Sequence, residues 1–570
     1  PIKNQDSMET LIVINKKIKI LDDELIDKTL NGFSSIDESD YKTTKTSEEL
    51  ESYITDISKT VRNSLEKSIK KLTPWFFNNM PNIYYQTTPR IEKAKHLSAV
   101  ITGNIFKGKQ VVEIWDKDKT KVTFLGPGDQ QEIVHDIGKK LKAIKPHLGS
   151  LYFSKDKLLF IATFFCHEEK DLNDANNSYI IEKIEETRKI ATALVPKNEQ
   201  ENFHTFLEEL SHNTIKYATP KRLLLIYKML NHMSNNEGAH TILQGQTPSG
   251  DFRITIGIKG MELSETLEQV LGLISHYHFH TTRYFVKEFK REINQSISIL
   301  HFVLSPQKNK NSLSREEIHI SKIKLIKALR TLGWTDSDEY TSLGTAYNFS
   351  SNATNFIRST ACWVNIILSK ENVYYYSQHK IFQTFLKQNE ITSKLIRLFR
   401  IKFDPRSPQG KRLSLYTDLK ESLSNIISKL IDKVERNIFD EALRFLESIL
   451  KTNYFISTKT GLAFRLKTDL LDKKHYPEQP FAIFFIVGKD YRFFHVRWRD
   501  VARGGLRIIV PQKEMQYAYA NSGLFDEVYG LSLGQQLKNK DIPEGGAKAV
   551  LLVKPQANKE RALKGSINAL

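Results

Sequence analysis

The chain reads Val501-Ala502-Arg503-Gly504-Gly505-Leu506-Arg507, then a helix-patterned segment, then Lys538-Asn539-Lys540-Asp541-Ile542-Pro543-Glu544-Gly545-Gly546-Ala547-Lys548. Each of the two glycine pairs stands beside fixed cations. Glycine lets another group approach the backbone closely. Arginine and lysine beside such a gap suit an anion, a carboxylate or a phosphate.

Upstream, Gly461 to Leu466, Phe481 to Val487 and Phe493 to Arg497 are short apolar or alternating runs with turn residues between them, which predicts strands. Glu514 to Lys540 is expected to be helical. Leu415 to Leu450 predicts one long helix, because Leu419, Leu423, Ile427, Leu430, Val434, Ile438, Ala442, Leu446 and Ile449 recur every three or four residues. Near the start, Glu48 to Leu72 predicts another helix, ended by Pro74. Gln110 to Cys166 reads as strands around a small helix capped at Asp129. Asp251 to Leu304 reads as strand, helix capped at Ser264, strand, strand.

The C-terminal stretch resembles the substrate-binding half of the glutamate dehydrogenases, and within them the large NAD-specific class. Arg503-Gly504-Gly505-Leu506-Arg507 is similar to their Lys-Gly-Gly-x-Arg segment, with arginine in the lysine place. Pro543-Glu544-Gly545-Gly546-Ala547-Lys548 is similar to their Pro-x-Gly-Gly-x-Lys. Thr458 to Leu466 and Phe494-His495-Val496-Arg497 add to the likeness, which is specific from Asn453 onward. The resemblance implies oxidative deamination of L-glutamate to 2-oxoglutarate and ammonium, with NAD taking the hydride. It implies Lys548 as the catalytic lysine. Arg503 and Lys538 would hold substrate carboxylates, with Gly504, Gly505, Gly545 and Gly546 beside them. Lys538 stands ten residues before Lys548, closer than in the small hexameric enzymes, so Lys540 rivals it. For Arg507 a salt bridge or a carbonyl clamp is the preferred reading.

The fold expectation is α+β and multidomain: ACT-like modules joined by helical segments, then the start of an α/β substrate domain of glutamate dehydrogenase type. The boundaries are 1–98 mainly helical, 99–175 ACT-like, 176–240 helical, 241–306 ACT-like, 307–450 helical, and 451–570 the first part of the catalytic domain. ACT-type domains bind amino acids or pair subunits, so the resemblance also leaves room for an amino-acid effector and implies a homo-oligomer. No Gly-x-Gly-x-x-Gly follows a strand, and the family's catalytic aspartate has no match before Leu570. The expectation is therefore an N-terminal portion of a longer enzyme, inactive alone, with the NAD domain after residue 570. The rival reading is a non-catalytic amino-acid sensor or scaffold.

Composition bounds the rest. Two cysteines in 570 residues argue against a disulfide scaffold and for a reducing compartment, the cytoplasm or, in a eukaryote, the mitochondrial matrix. A formal charge of +18 is spread among interleaved acids, without a basic arm for nucleic acid. No apolar run is long enough for a membrane helix. Gly530-Leu531-Ser532-Leu533-Gly534 matches a nucleophile elbow, but no histidine follows it, so a helix with two close-packing glycines is preferred. Gly103 to Lys109 lacks the Ser or Thr of a phosphate loop. His276, His278 and His280 alternate as if on one strand face, and no metal site is expected of them, nor of Cys166-His167-Glu168-Glu169.

Overall fold

A computed structural model describes residue 55 and residues 66–102, 111–128, 137, 140–166, 178–234, 238–246, 251–290, 296–307, 314–336, 338–340, 343–344, 347, 349–406, 409–456, 459–538 and 544–570. The Asp129 cap, the Gly103 to Lys109 motif, His167 to Glu169 and most of the Glu48 to Leu72 helix lie outside these residues. The chain is α+β, and its described residues divide into two compact units, one within 21–329 and one within 330–570. Among the described residues no helix is long and apolar enough to cross a membrane.

The first unit is built on an eight-stranded antiparallel sheet. Its strands are β1 (Val112–Trp115), β2 (Lys121–Pro127), β3 (Leu148–Phe153), β4 (Leu159–Phe165), β5 (Ala239–Gln246), β6 (Phe252–Lys259), β7 (Phe279–Lys290) and β8 (Ser296–Pro306), in the order β1-β2-β4-β3-β7-β8-β6-β5. The two halves therefore repeat one strand order, first-second-fourth-third, and meet edge to edge through their third strands. There Leu148 faces Lys287 and Tyr152 faces Arg283. The segments read as separate modules thus share one sheet. Strands β3 and β4 are buried along their whole length, as continuous apolar runs require.

Three helices of this unit show where pattern and packing part company. Helix α1 (Glu66–Asn79) continues through Pro74, where the sequence predicted its end. Beyond the proline, Phe76, Phe77 and Met80 are all buried. That burial outweighs the lost helix bond. Helix α2 (Pro220–Ser234) lies against β6 so closely that a side chain at Gly257 would meet Met229 Sδ at 2.7 Å. Helix α3 (Leu263–His276) begins one residue before Ser264; its N-cap is Glu262, and Ser264 is buried in the first turn. His276 ends α3, His278 sits in a turn at φ 62°, and His280 is on β7, so the three histidines share no strand.

The second unit carries the quoted stretch. Helix α4 (Ser351–Leu368) runs through its core. The predicted long helix is broken into α5 (Gln409–Ser428) and α6 (Lys433–Ser448). The Asp432 carboxylate accepts the Val434 and Glu435 N–H groups at 2.8 and 3.3 Å, starting a new helix within an unbroken apolar stripe. Ile449 then opens β9 (Ile449–Thr452), followed by β10 (Leu462–Leu466), β11 (Ala482–Gly488), β12 (Tyr491–Arg497), β13 (Ala502–Ile509) and β14 (Gly545–Val553). The sheet order is β13-β14-β12-β11-β10-β9, with β13 and β14 parallel and the other neighbours antiparallel. Helices α7 (Glu514–Ser522) and α8 (Leu524–Gln536) connect the parallel pair, and α9 (Lys559–Ala569) covers the opposite face. Trp363 of α4, fully buried, stacks on Phe445 and meets Phe485, Phe494 and Phe525 edge-on or tilted.

Candidate active site

Both glycine pairs sit at the rim of the second sheet. The first lies within edge strand β13, and the second opens β14. The parallel register places Arg503 beside Gly546, Gly505 beside Lys548 and Arg507 beside Val550. Side chains alternate along a strand, so Arg503, Gly505, Arg507 and Lys548 share one face. It is the face on which Val550 and Leu552 pack with Phe525 and Val528 of α8. Arg503 and Lys548 stand one step of alternation apart, roughly 7 Å along the strands.

Lys548 is half-buried and, among the described residues, its side chain takes part in no ion pair or hydrogen bond. Its neighbour across the strands is Gly505, where an added Cβ would lie 3.4 Å from Lys548 Nζ. The missing side chain therefore keeps a gap beneath a free ammonium. Both arginines already have counter-ions. Arg503 Nε is 2.5 Å from Glu544 Oε1, and Arg507 Nε is 2.7 Å from Glu527 Oε1 in the first turn of α8. Of the salt bridge or carbonyl clamp expected for Arg507, the structure has the salt bridge. Lys538 is exposed just past the end of α8, with no described contact to these groups, and Lys540 lies outside the described residues.

The other three glycines have local reasons to be glycine. A methyl at Gly504 would drive into the Ala547 carbonyl of the adjacent strand. One at Gly546 would strike the backbone of Gln536 at the end of α8, whose Oε1 accepts the Gly546 N–H at 2.6 Å. One at Gly545 would come within 2.6 Å of Arg499 Cβ. A strut beside them ties helix to strand: Trp498 Nε1 donates to Ser532 Oγ at 3.0 Å, and the Trp498 N–H donates to Gly546 O at 3.0 Å. Ser532 is fully buried in α8, while Gly530 and Gly534 have nothing near them to pack on. The Gly-x-Ser-x-Gly match is thus a turn of helix, though its glycines are not close-packing ones. His495, on β12, points to the sheet face opposite Lys548. Burial first, then Arg497, lowers its pKa to about 4, and it stacks on Phe484.

Sequence reasoning missed the two acids. Glu544 stood inside the quoted motif and Glu527 in the intervening helix. Pairing across a sheet rim depends on a register that no local pattern encodes.

Residues 419–569 match the family model described as the bacterial NAD-glutamate dehydrogenase catalytic domain. Glutamate dehydrogenase 2 of Dictyostelium discoideum is 45% identical over 133 residues, 23% of this chain and 13% of that protein. A probable NAD-specific glutamate dehydrogenase of Schizosaccharomyces pombe is 26% identical over 404 residues, 61% of this chain and 34% of that protein. The NAD-specific glutamate dehydrogenase of Saccharomyces cerevisiae is 49% identical over 112 residues, 20% of this chain and 10% of that protein. The matches thus span about a third or less of each relative's own length. By these likenesses, carried most strongly by residues 419–569, the chain is similar to the NAD-specific glutamate dehydrogenases.

Proposed function

We propose that the protein is an NAD-dependent glutamate dehydrogenase, interconverting L-glutamate with 2-oxoglutarate and ammonium, and that the β13–β14 rim is its substrate site. The observation that carries this reading is Lys548: a half-buried ammonium, unpaired among the described residues, over the gap at Gly505, with an arginine on either side of that gap. Arg503 holds one substrate carboxylate, and Lys538 or Lys540 holds the other. Gly505 leaves room for the substrate's C2 carbonyl against Lys548. The Lys548 ammonium stabilises negative charge developing on that oxygen, and as the free amine it takes a proton from the water that adds at C2. Cations fixed on a sheet rim hold both ends of a dicarboxylate in one orientation.

NAD, when bound, supplies the hydride acceptor. The described residues do not offer it a dinucleotide turn. The parallel pair β13 and β14 is joined through α7, which opens Lys513-Glu514-Met515-Gln516 without glycine. NAD binding is therefore proposed to rest on other parts of the protein. The two halves of the eight-stranded sheet are proposed as ACT-like modules, a reading supported by the strand-helix-strand-strand run of β6, α3, β7 and β8.

The test follows NADH consumption with 2-oxoglutarate and ammonium in the full-length protein, with NADPH for comparison. Activity with NADH that falls at least about a thousandfold in Lys548→Ala is the expected result, the scale on which loss of an acid–base group or charge stabiliser is felt. A wild-type protein without turnover under varied amino acids, or an active Lys548→Ala, would overturn it.

A further inference from the structure

We propose that Glu544 sets the charge selectivity of this site. It is the resident counter-ion of Arg503, and a substrate carboxylate must take its place. This rests on the reading of Arg503 as a carboxylate-binding group.

The pair is asymmetric. The Glu544 side chain is 14% exposed, while that of Arg503 is 65% exposed. The acid is the anchored member, because the backbone directly after it is fixed. The Gly545 N–H donates to Val501 O at 2.9 Å, and the Gly546 N–H donates to Gln536 Oε1 at 2.6 Å. The arginine, on an edge strand facing solvent, is the member that can swing to a ligand. Among the described residues this face carries Arg503, Arg507 and Lys548 against Glu527 and Glu544, and Lys538 or Lys540 would bring one more cation to the substrate. Glutamate carries one net negative charge and 2-oxoglutarate two, so an acid on this face disfavours the dianion more. Removing the Glu544 charge would favour the dianion and release Arg503 from a competitor.

The experiment compares Glu544→Gln, Glu544→Asp and Arg503→Met with wild type in the full-length protein, reading KM for 2-oxoglutarate, glutamate and NADH. Glu544→Gln is expected to lower KM for 2-oxoglutarate about tenfold, the scale of one partly screened charge at contact range. KM for glutamate should fall less and KM for NADH should not move. Glu544→Asp keeps the charge but draws it back by one methylene, and should lower KM for 2-oxoglutarate about threefold, so a Glu544→Gln that does not fold leaves the test standing. An unchanged or raised KM for 2-oxoglutarate in the folded variants would overturn the proposal. The Arg503→Met arm tests the underlying reading separately: if KM for both dicarboxylates stays at wild type there, Arg503 does not hold substrate.

Discussion

Gly504 and Gly505 are neighbours on one strand, yet the space beside each is filled differently. Gly504 faces the Ala547 carbonyl so closely that no side chain fits without parting β13 from β14. Gly505 faces only the tip of Lys548, at ordinary contact distance from where a methyl would stand. Alanine at the two positions should therefore fail in different ways. Gly504→Ala is expected to cost about 3 kcal/mol of stability, since backbone rather than a flexible side chain must yield. Gly505→Ala should melt with the wild type but lose activity about tenfold, because its methyl fills the space beneath the ammonium. Thermal melting and NADH consumption on the two variants check both statements. A Gly505→Ala protein with wild-type turnover would mean that no reacting group uses that gap.

At the level of elements, α8 is held to the sheet by polar contacts as well as apolar ones. Ser532 Oγ accepts the Trp498 indole N–H and donates to Tyr529 O at 2.9 Å. Ser532→Ala should cost about 1–2 kcal/mol through the orphaned indole, measured as a shift in urea midpoint, with kcat unchanged. Loss of turnover at wild-type stability would revive the nucleophile reading. This element also marks what sequence could and could not tell. The strands β6 and β10 were legible because apolar and polar residues alternate along them, and β11 and β12 because they are short, largely apolar runs between turn residues. The break between α5 and α6 was not. The apolar stripe runs on past it, and the stop comes from one carboxylate, Asp432, folding back onto backbone N–H groups. Pro74 misled for the converse reason: a local rule lost to burial of Phe76 and Phe77. At the site, the motif disclosed which residues cluster, Arg503 with Lys548. The acids beside them, Glu544 on Arg503 and Glu527 on Arg507, are set by strand register and by how α8 lies on the sheet, and neither is written locally.

On the scale of the whole molecule, the edge-to-edge joining of two like half-sheets in residues 21–329 was equally out of reach of pattern. β3 and β7 are far apart in sequence, and the bonds between them are backbone bonds that any sequence can make. The burial of neutral imidazole makes this unit sensitive to acid. His96 is 3% exposed and shares a hydrogen bond of 2.9 Å with the Tyr84 hydroxyl. Burial lowers its pKa to about 4, against the opposing pull of Glu92. His280 is shifted the same way, by burial and then Lys157. A histidine whose folded value lies below its unfolded value near 6.5 takes up its proton first in the unfolded chain. Its contribution to stability is full above pH 6.5 and is lost as the pH falls toward 4. For His96 the loss between pH 7 and pH 5 is about 2 kcal/mol. Urea denaturation of the chain at those two pH values should show at least that drop, and His96→Gln, which keeps a partner for Tyr84 but cannot charge, should remove about that much of the difference. An identical pH dependence in the variant would mean that His96 is not the group that titrates.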